Sequence, residues 1–212
     1  MTVQALQWLA LAVAAGLLLW AGRGLPWFKL QGDAEAQRVL LIATLVLCAM
    51  RGFNADALPG VKLHFLGAAI AALMFGARFA LWVMAIVSLA AWATGHAWLG
   101  WATDFLVTGA LPIAVVQAGL HLAQRHLPAN VMVYIMVNAF LAGAASMGAS
   151  MLAKALLAGW FAADTQSAYL LATVPLMFAE GFFSGGTLAL IVVYRPQWCA
   201  SFDDAVYLHR SE

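Results

Sequence analysis

Apolar residues run along this chain in long blocks, with most polar positions confined to the gaps between them. Seven blocks reach or approach the roughly 20 residues a membrane-spanning helix needs: 3–22, 36–50, 61–76, 79–94, 98–122, 131–161 and 167–194. The pattern predicts an all-α, polytopic bundle of about seven transmembrane helices. The second, third and fourth blocks are short. The sixth and seventh are long enough to tilt or kink, and Pro175 supplies a cause in the seventh. Residues 1–197 read as one transmembrane domain and 198–212 as a polar tail.

Composition supports the block pattern. The chain is 65% hydrophobic and 9% charged, against roughly a quarter charged in a soluble domain. Such a chain cannot cover itself with polar surface, so the lipid bilayer is its solvent, in a cell (inner) membrane. A formal net charge of +1 leaves no dense basic face for nucleic acid. Cys48 and Cys199 cannot form a disulfide framework. The first block lacks a basic leading segment and a small-residue cleavage site, so it is expected to remain as a helix.

Basic residues set the orientation. With the N-terminus outside, Arg23, Lys29, Arg38, Arg78, Arg125, Arg195 and Arg210 fall inside, and Arg51, Lys62 and Lys154 outside, as the positive-inside rule favours. The C-terminus and its tail are then cytoplasmic, and a plain solvated end is expected of that tail. Small residues at four-residue spacing, Ala10 with Ala14, Gly67 with Ala71 and Ala144 with Gly148, suit close approach of helices.

Ionisable residues inside such blocks are expensive and by default mark function. His64 is the fourth residue of its block, just beneath the outer surface. Asp104 lies roughly 9 Å below that surface and Glu180 roughly 20 Å down its helix, near the midplane. All three could line one cavity opening outward, with His96 above it and Asn54 and Asp56 at its rim. Each has a structural alternative. His64 could rest at headgroup level, Asp104 could be neutralised by Lys154, and Glu180 could be protonated or bonded to a neighbouring helix.

Other polar positions say less. His121 and His126 are five apart and do not share a helical face. Met147 and Met151 do, but methionines at that spacing usually fill cores. Trp98 and Trp101 read as an interfacial aromatic belt. No nucleophile elbow, Walker loop or HExxH motif occurs, so an enzyme is not expected and any ATP hydrolysis must come from a partner.

The segment "GFNADALPGVKLHFLGAAIAALMFG" resembles the loop and third helix of the CbiM/NikM proteins, the substrate-capture components of energy-coupling-factor importers for cobalt and nickel. Its "LPG" turn followed by "LHFLGA" places His64 at the family's metal-binding histidine. "LGWATDFLVTGALP" resembles the family's "LGANILNMG" stretch, with Asp104 near its asparagine, and "VPLMFAEGFFSGGTLALIVVYRP" resembles its last helix. One departure stands out. The family begins Met-His-Ile-Pro-Asp-Gly and binds metal through that terminus, whereas this chain opens "MTVQALQW", with Thr2 in place of the histidine.

The resemblance implies a membrane component for uptake of a transition-metal ion as substrate, nickel or cobalt first, copper or zinc possible by ligand chemistry. It also implies a transmembrane coupling subunit and cytoplasmic ABC ATPases as partners. His64, Asp104, His96 and Asp56 form the candidate metal set, Glu180 and Asn54 the candidate cation pathway, and Lys154 a structural pair. Cys48 and Met50 offer a softer set suited to Cu(I). Two other readings stay open: a stand-alone permease in which Glu180 exchanges protons, and an accessory membrane protein that kept the fold without the metal site.

Overall fold

The computed structural model describes residues 2–53, 61, 63–97 and 99–207. It is all-helical, with no strand among the described residues. Helix α1 (Val3–Arg23) starts where the Thr2 hydroxyl accepts from the Ala5 N–H at 3.2 Å. Helix α2 (Ala34–Gly52) starts where Asp33 accepts from the Ala36 N–H at 2.9 Å. These are ordinary N-caps, in which a short polar side chain satisfies a first-turn donor. Then follow α3 (Ala68–Phe75), α4 (Ala77–Ala93), α5 (Trp101–His126), α6 (Val131–Phe161) and α7 (Ala163–Tyr194). Two of these carry π-helical stretches, Leu106–Ala110 in α5 and Tyr134–Leu141 in α6. Helix α7 runs on through Pro175 without a break.

Four of the helices, α1, α5, α6 and α7, are long and apolar enough to cross a membrane, and α4 is a shorter apolar helix. Their outward faces carry large apolar side chains such as Trp8, Leu19, Trp160, Leu171 and Val193. A water-soluble surface does not tolerate that much continuous exposed apolar area. The chain is a multi-pass membrane protein.

The most buried of these seven helices is also the shortest of them. Every residue of α3 from Ala68 to Met74 is buried, and the helix packs among α4, α5, α6 and α7. Eight residues rise about 12 Å, far short of a bilayer. Around it, α6 and α7 pack most extensively, through small residues. A Cβ added at Gly181 would lie 3.1 Å from the Phe140 carbonyl oxygen, and one added at Gly148 would lie 2.8 Å from the Met177 sulfur. Met147 and Met151 are buried core residues, as their spacing suggested.

Two expectations need correction. The third apolar block was expected to be helical over 61–76, but the helix begins only at Ala68. The preceding described residues are irregular because the Leu66 and Gly67 N–H groups are held by the Glu180 carboxylate, at 3.0 and 2.8 Å. Gly67 itself turns the chain at φ +64°, a conformation suited to glycine. The C-terminal tail was expected to be plainly solvated, yet Cys199 and Phe202 are buried. There the Ala200 N–H donates to Met74 O at 2.8 Å, and the Ser201 N–H and hydroxyl donate to Leu73 O at 3.2 and 2.7 Å. The tail thus satisfies the last carbonyls of α3, which would otherwise be buried without partners.

Candidate functional site

The polar residues of the bundle gather near the start of α3. Arg51, in the last turn of α2, is buried and donates to the Asp104 carboxylate in the first turn of the helical run that makes α5. Asp104 is only 1% exposed, and its neighbour Thr108 donates to its backbone oxygen at 2.8 Å and its Oδ2 at 3.3 Å. Pairing is what such depth demands, since an uncompensated buried charge costs several kcal/mol.

His64 sits beside this pair, 5% exposed, on the irregular segment leading into α3. Its Nδ1 lies 3.0 Å from the Phe65 carbonyl oxygen, and its Nε2 lies 3.1 Å from Lys154 Nζ of α6. A carbonyl can only accept, so Nδ1 carries the proton and Nε2 presents a lone pair. The Lys154 ammonium donates to that lone pair. Lys154 is itself buried, feels the charges of both Arg51 and Asp104, and lies 5.9 Å from the centre of the buried Tyr169 ring.

Glu180 positions this group from below. It is fully buried on α7, and its two carboxylate oxygens each accept one backbone N–H immediately before α3. A negative charge at a helix N-terminus is favourable on both hydrogen-bonding and dipole grounds. The contact fixes where the His64 segment crosses the bundle.

Of the sequence-predicted residues, the structure therefore brings together His64, Asp104 and Lys154, with Glu180 of α7 bonded to the backbone two and three residues further along the His64 segment. Lys154 lies within electrostatic reach of Asp104 and also hydrogen-bonds His64. His96 is half-buried at the end of α4, its ring 2.9 Å from the Thr94 hydroxyl and its N–H on Ala91 O. No group of three or more His, Cys, Asp or Glu side chains is arranged to hold a metal among the described residues. The expected set of His64, Asp104 and His96 is thus not assembled as a closed ligand shell. Asn54, Asp56, the Pro59-Gly60 turn and Lys62 lie outside the described residues.

Arg51 is the residue that sequence reading missed. It was counted as an outer-loop charge, whereas it is 4% exposed and ion-paired. The available signal was charge balance: a lone aspartate within a span needs a cation at similar depth, and Arg51 ends a block expected to reach the same face.

No curated protein and no solved structure matches this chain. One family model does, described as the cobalt uptake substrate-specific transmembrane region, CbiM, and it covers residues 3–198, nearly the whole chain. With that match over nearly the whole of an all-helical bundle that has spanning helices, the chain belongs to the CbiM family.

Proposed function

We propose that this protein captures a divalent transition-metal ion, cobalt or nickel first, at the outer face of the inner membrane and delivers it inward. The seven apolar blocks make about seven passes with the N-terminus out and the C-terminal tail in the cytoplasm. The irregular His64 segment and α3 together make the third pass. A transmembrane coupling subunit and cytoplasmic ABC ATPases energise the import, and the chain itself is not an enzyme.

The observation that carries the reading is the presentation of His64. Metal-binding histidines commonly donate one ring N–H to a carbonyl or carboxylate, which fixes the tautomer and frees the other nitrogen for the ion. Here Nδ1 is committed to Phe65 O, and the segment is held by Glu180, so Nε2 is aimed into the polar group that contains Asp104. Imidazole nitrogen suits cobalt and nickel, and zinc or copper by the same chemistry. The two backbone bonds that Glu180 accepts favour a structural cap over proton exchange. Lys154 on Nε2, Thr2 in place of the terminal histidine, and the lack of a three-ligand group among the described residues favour an accessory protein without a metal site.

The test is cobalt and nickel uptake by cells expressing the chain with its coupling partners, beside His64→Ala. Uptake should fall to background in the variant while the protein remains in the membrane at normal level. Unchanged uptake by His64→Ala would overturn the reading.

A further inference from the structure

The Lys154 contact has a consequence for how an ion is held, and it rests on the reading that His64 ligates the metal. A metal ligated by imidazole sits about 2.0–2.1 Å from the nitrogen, along its lone pair. The Lys154 ammonium occupies that same lone pair at 3.1 Å. Both cannot use it together. We propose that Lys154 is a tethered cation that holds the substrate's place on His64, so that an ion binds only by displacing it and is released as it returns.

Three features support the exchange. First, the ammonium already stands 5.9 Å from the centre of the Tyr169 ring and within electrostatic reach of Asp104, so it keeps partners when it leaves Nε2. A cation over an aromatic face is attracted to it, more so when desolvated. Second, Arg51 already neutralises Asp104, so the group keeps its internal charge pairing while the lysine moves. Third, Lys154 is on α6 while His64 is on the segment entering α3, so exchange at one nitrogen alters the contact between two packed elements. That contact gives the bound and empty states different packing, which is what a transport component requires of its substrate.

The tethered cation also sets affinity and selectivity. Among the described residues, Lys154 and Arg51 add positive charge near His64 beside the Asp104 carboxylate, so a dication is held more weakly than by an imidazole–carboxylate pair alone. An importer must release what it captures, and a resident competitor makes that release faster.

The experiment is metal binding by purified full-length protein in mild detergent, titrated with cobalt and with nickel by calorimetry, for wild type, Lys154→Met, Lys154→Gln and Lys154→Arg. Freeing a lone pair from a charged hydrogen bond should tighten binding in Lys154→Met roughly ten- to a hundredfold. Lys154→Arg, which keeps the charge, should stay near wild type, and adding His64→Ala to Lys154→Met should abolish the gain. Metal dissociation should slow in the tightened variant. Lys154→Gln serves if the methionine variant does not fold, with a smaller gain in the same direction. Equal affinity in wild type and Lys154→Met, with binding still lost in His64→Ala, would overturn the exchange and leave the metal reading standing. Weaker binding in Lys154→Met would also overturn it, because lysine would then be helping to hold the ion. No binding in any variant would overturn both.

Discussion

At the scale of single residues, the Arg51–Asp104 pair is the point where stability and function meet. Both side chains are buried, so removing either one takes from the other a charged partner. Breaking a buried ion pair from one side costs about 3–5 kcal/mol, whereas replacing both partners with apolar groups of similar volume is often near neutral. Asp104→Asn should therefore destabilise the detergent-solubilised protein by roughly 2–4 kcal/mol, since asparagine keeps one acceptor for the arginine. Arg51→Met with Asp104→Leu should recover most of that loss. Thermal unfolding of Arg51→Met, Asp104→Leu and the double measures the pair as a cycle. Additive losses would mean the pair is not the relevant interaction. Charge balance was the one hint of the pairing in the sequence, because Arg51 directly follows an apolar block, where a loop assignment and a buried one look alike.

At the scale of elements, α3 is a short buried rod whose ends are both satisfied from elsewhere. The Glu180 carboxylate takes two N–H groups at its start, and the tail takes the Leu73 and Met74 carbonyls at its end. Its starting turn has no room for a side chain: Gly67 is at φ +64°, and an added Cβ would collide with the Leu47 side chain on α2. Gly67→Ala should thus cost the left-handed penalty, roughly 1–2 kcal/mol, plus the clash. Adding Leu47→Ala should relieve only the clash, which unfolding midpoints of the single and double variants will separate. The other end has its own reporter. Burial pushes the Cys199 thiol up to about 12, so at neutral pH it is protonated as well as covered. In a Cys48→Ala background, Cys199 should react slowly with a maleimide. Ser201→Ala removes a hydroxyl that bridges Leu73 O and Tyr134, 2.7 Å from each, and should speed the reaction several-fold. An unchanged rate would mean the tail is held without the clamp. Element lengths were legible where local signals end them. The sixth block, 131–161, matches α6 end to end because Asn130 caps it, accepting from the Met132 N–H at 2.7 Å. The third block was misjudged because hydropathy sees apolar residues at 61–67 and not the carboxylate, 113 and 114 residues on, that takes their backbone donors.

At the scale of the whole molecule, the buried cluster changes the count that fixes orientation. Positive-inside bias depends on charges that face water near the ends of spans, not on buried ones. Arg51 and Lys154 are inside the bundle, so they leave the tally for the outer face. On the topology expected from the sequence, the tally then becomes seven basic residues inside, Arg23, Lys29, Arg38, Arg78, Arg125, Arg195 and Arg210, against Lys62 outside. Contacts tie the ends together consistently. Arg78 bonds the Gly24 carbonyl, and Trp198 donates to Glu35 at 2.8 Å, so the ends of α1 and α7 and the start of α2 share one face. Gln7 reaches Leu99 O at 3.4 Å on the face nearer the His64 cluster. If the first of these faces is cytoplasmic, His64 is entered from outside, as capture for uptake requires. Single cysteines at Gln4, in the first turn of α1, and Gln31, in the connection from α1 to α2, both exposed, test this in a Cys48→Ala, Cys199→Ala background. An impermeant maleimide on intact cells, with the outer membrane opened, should label Gln4→Cys and reach Gln31→Cys only after the inner membrane is permeabilised. The reverse pattern would place the His64 cluster on the cytoplasmic side, where it would first meet an ion at export rather than at capture.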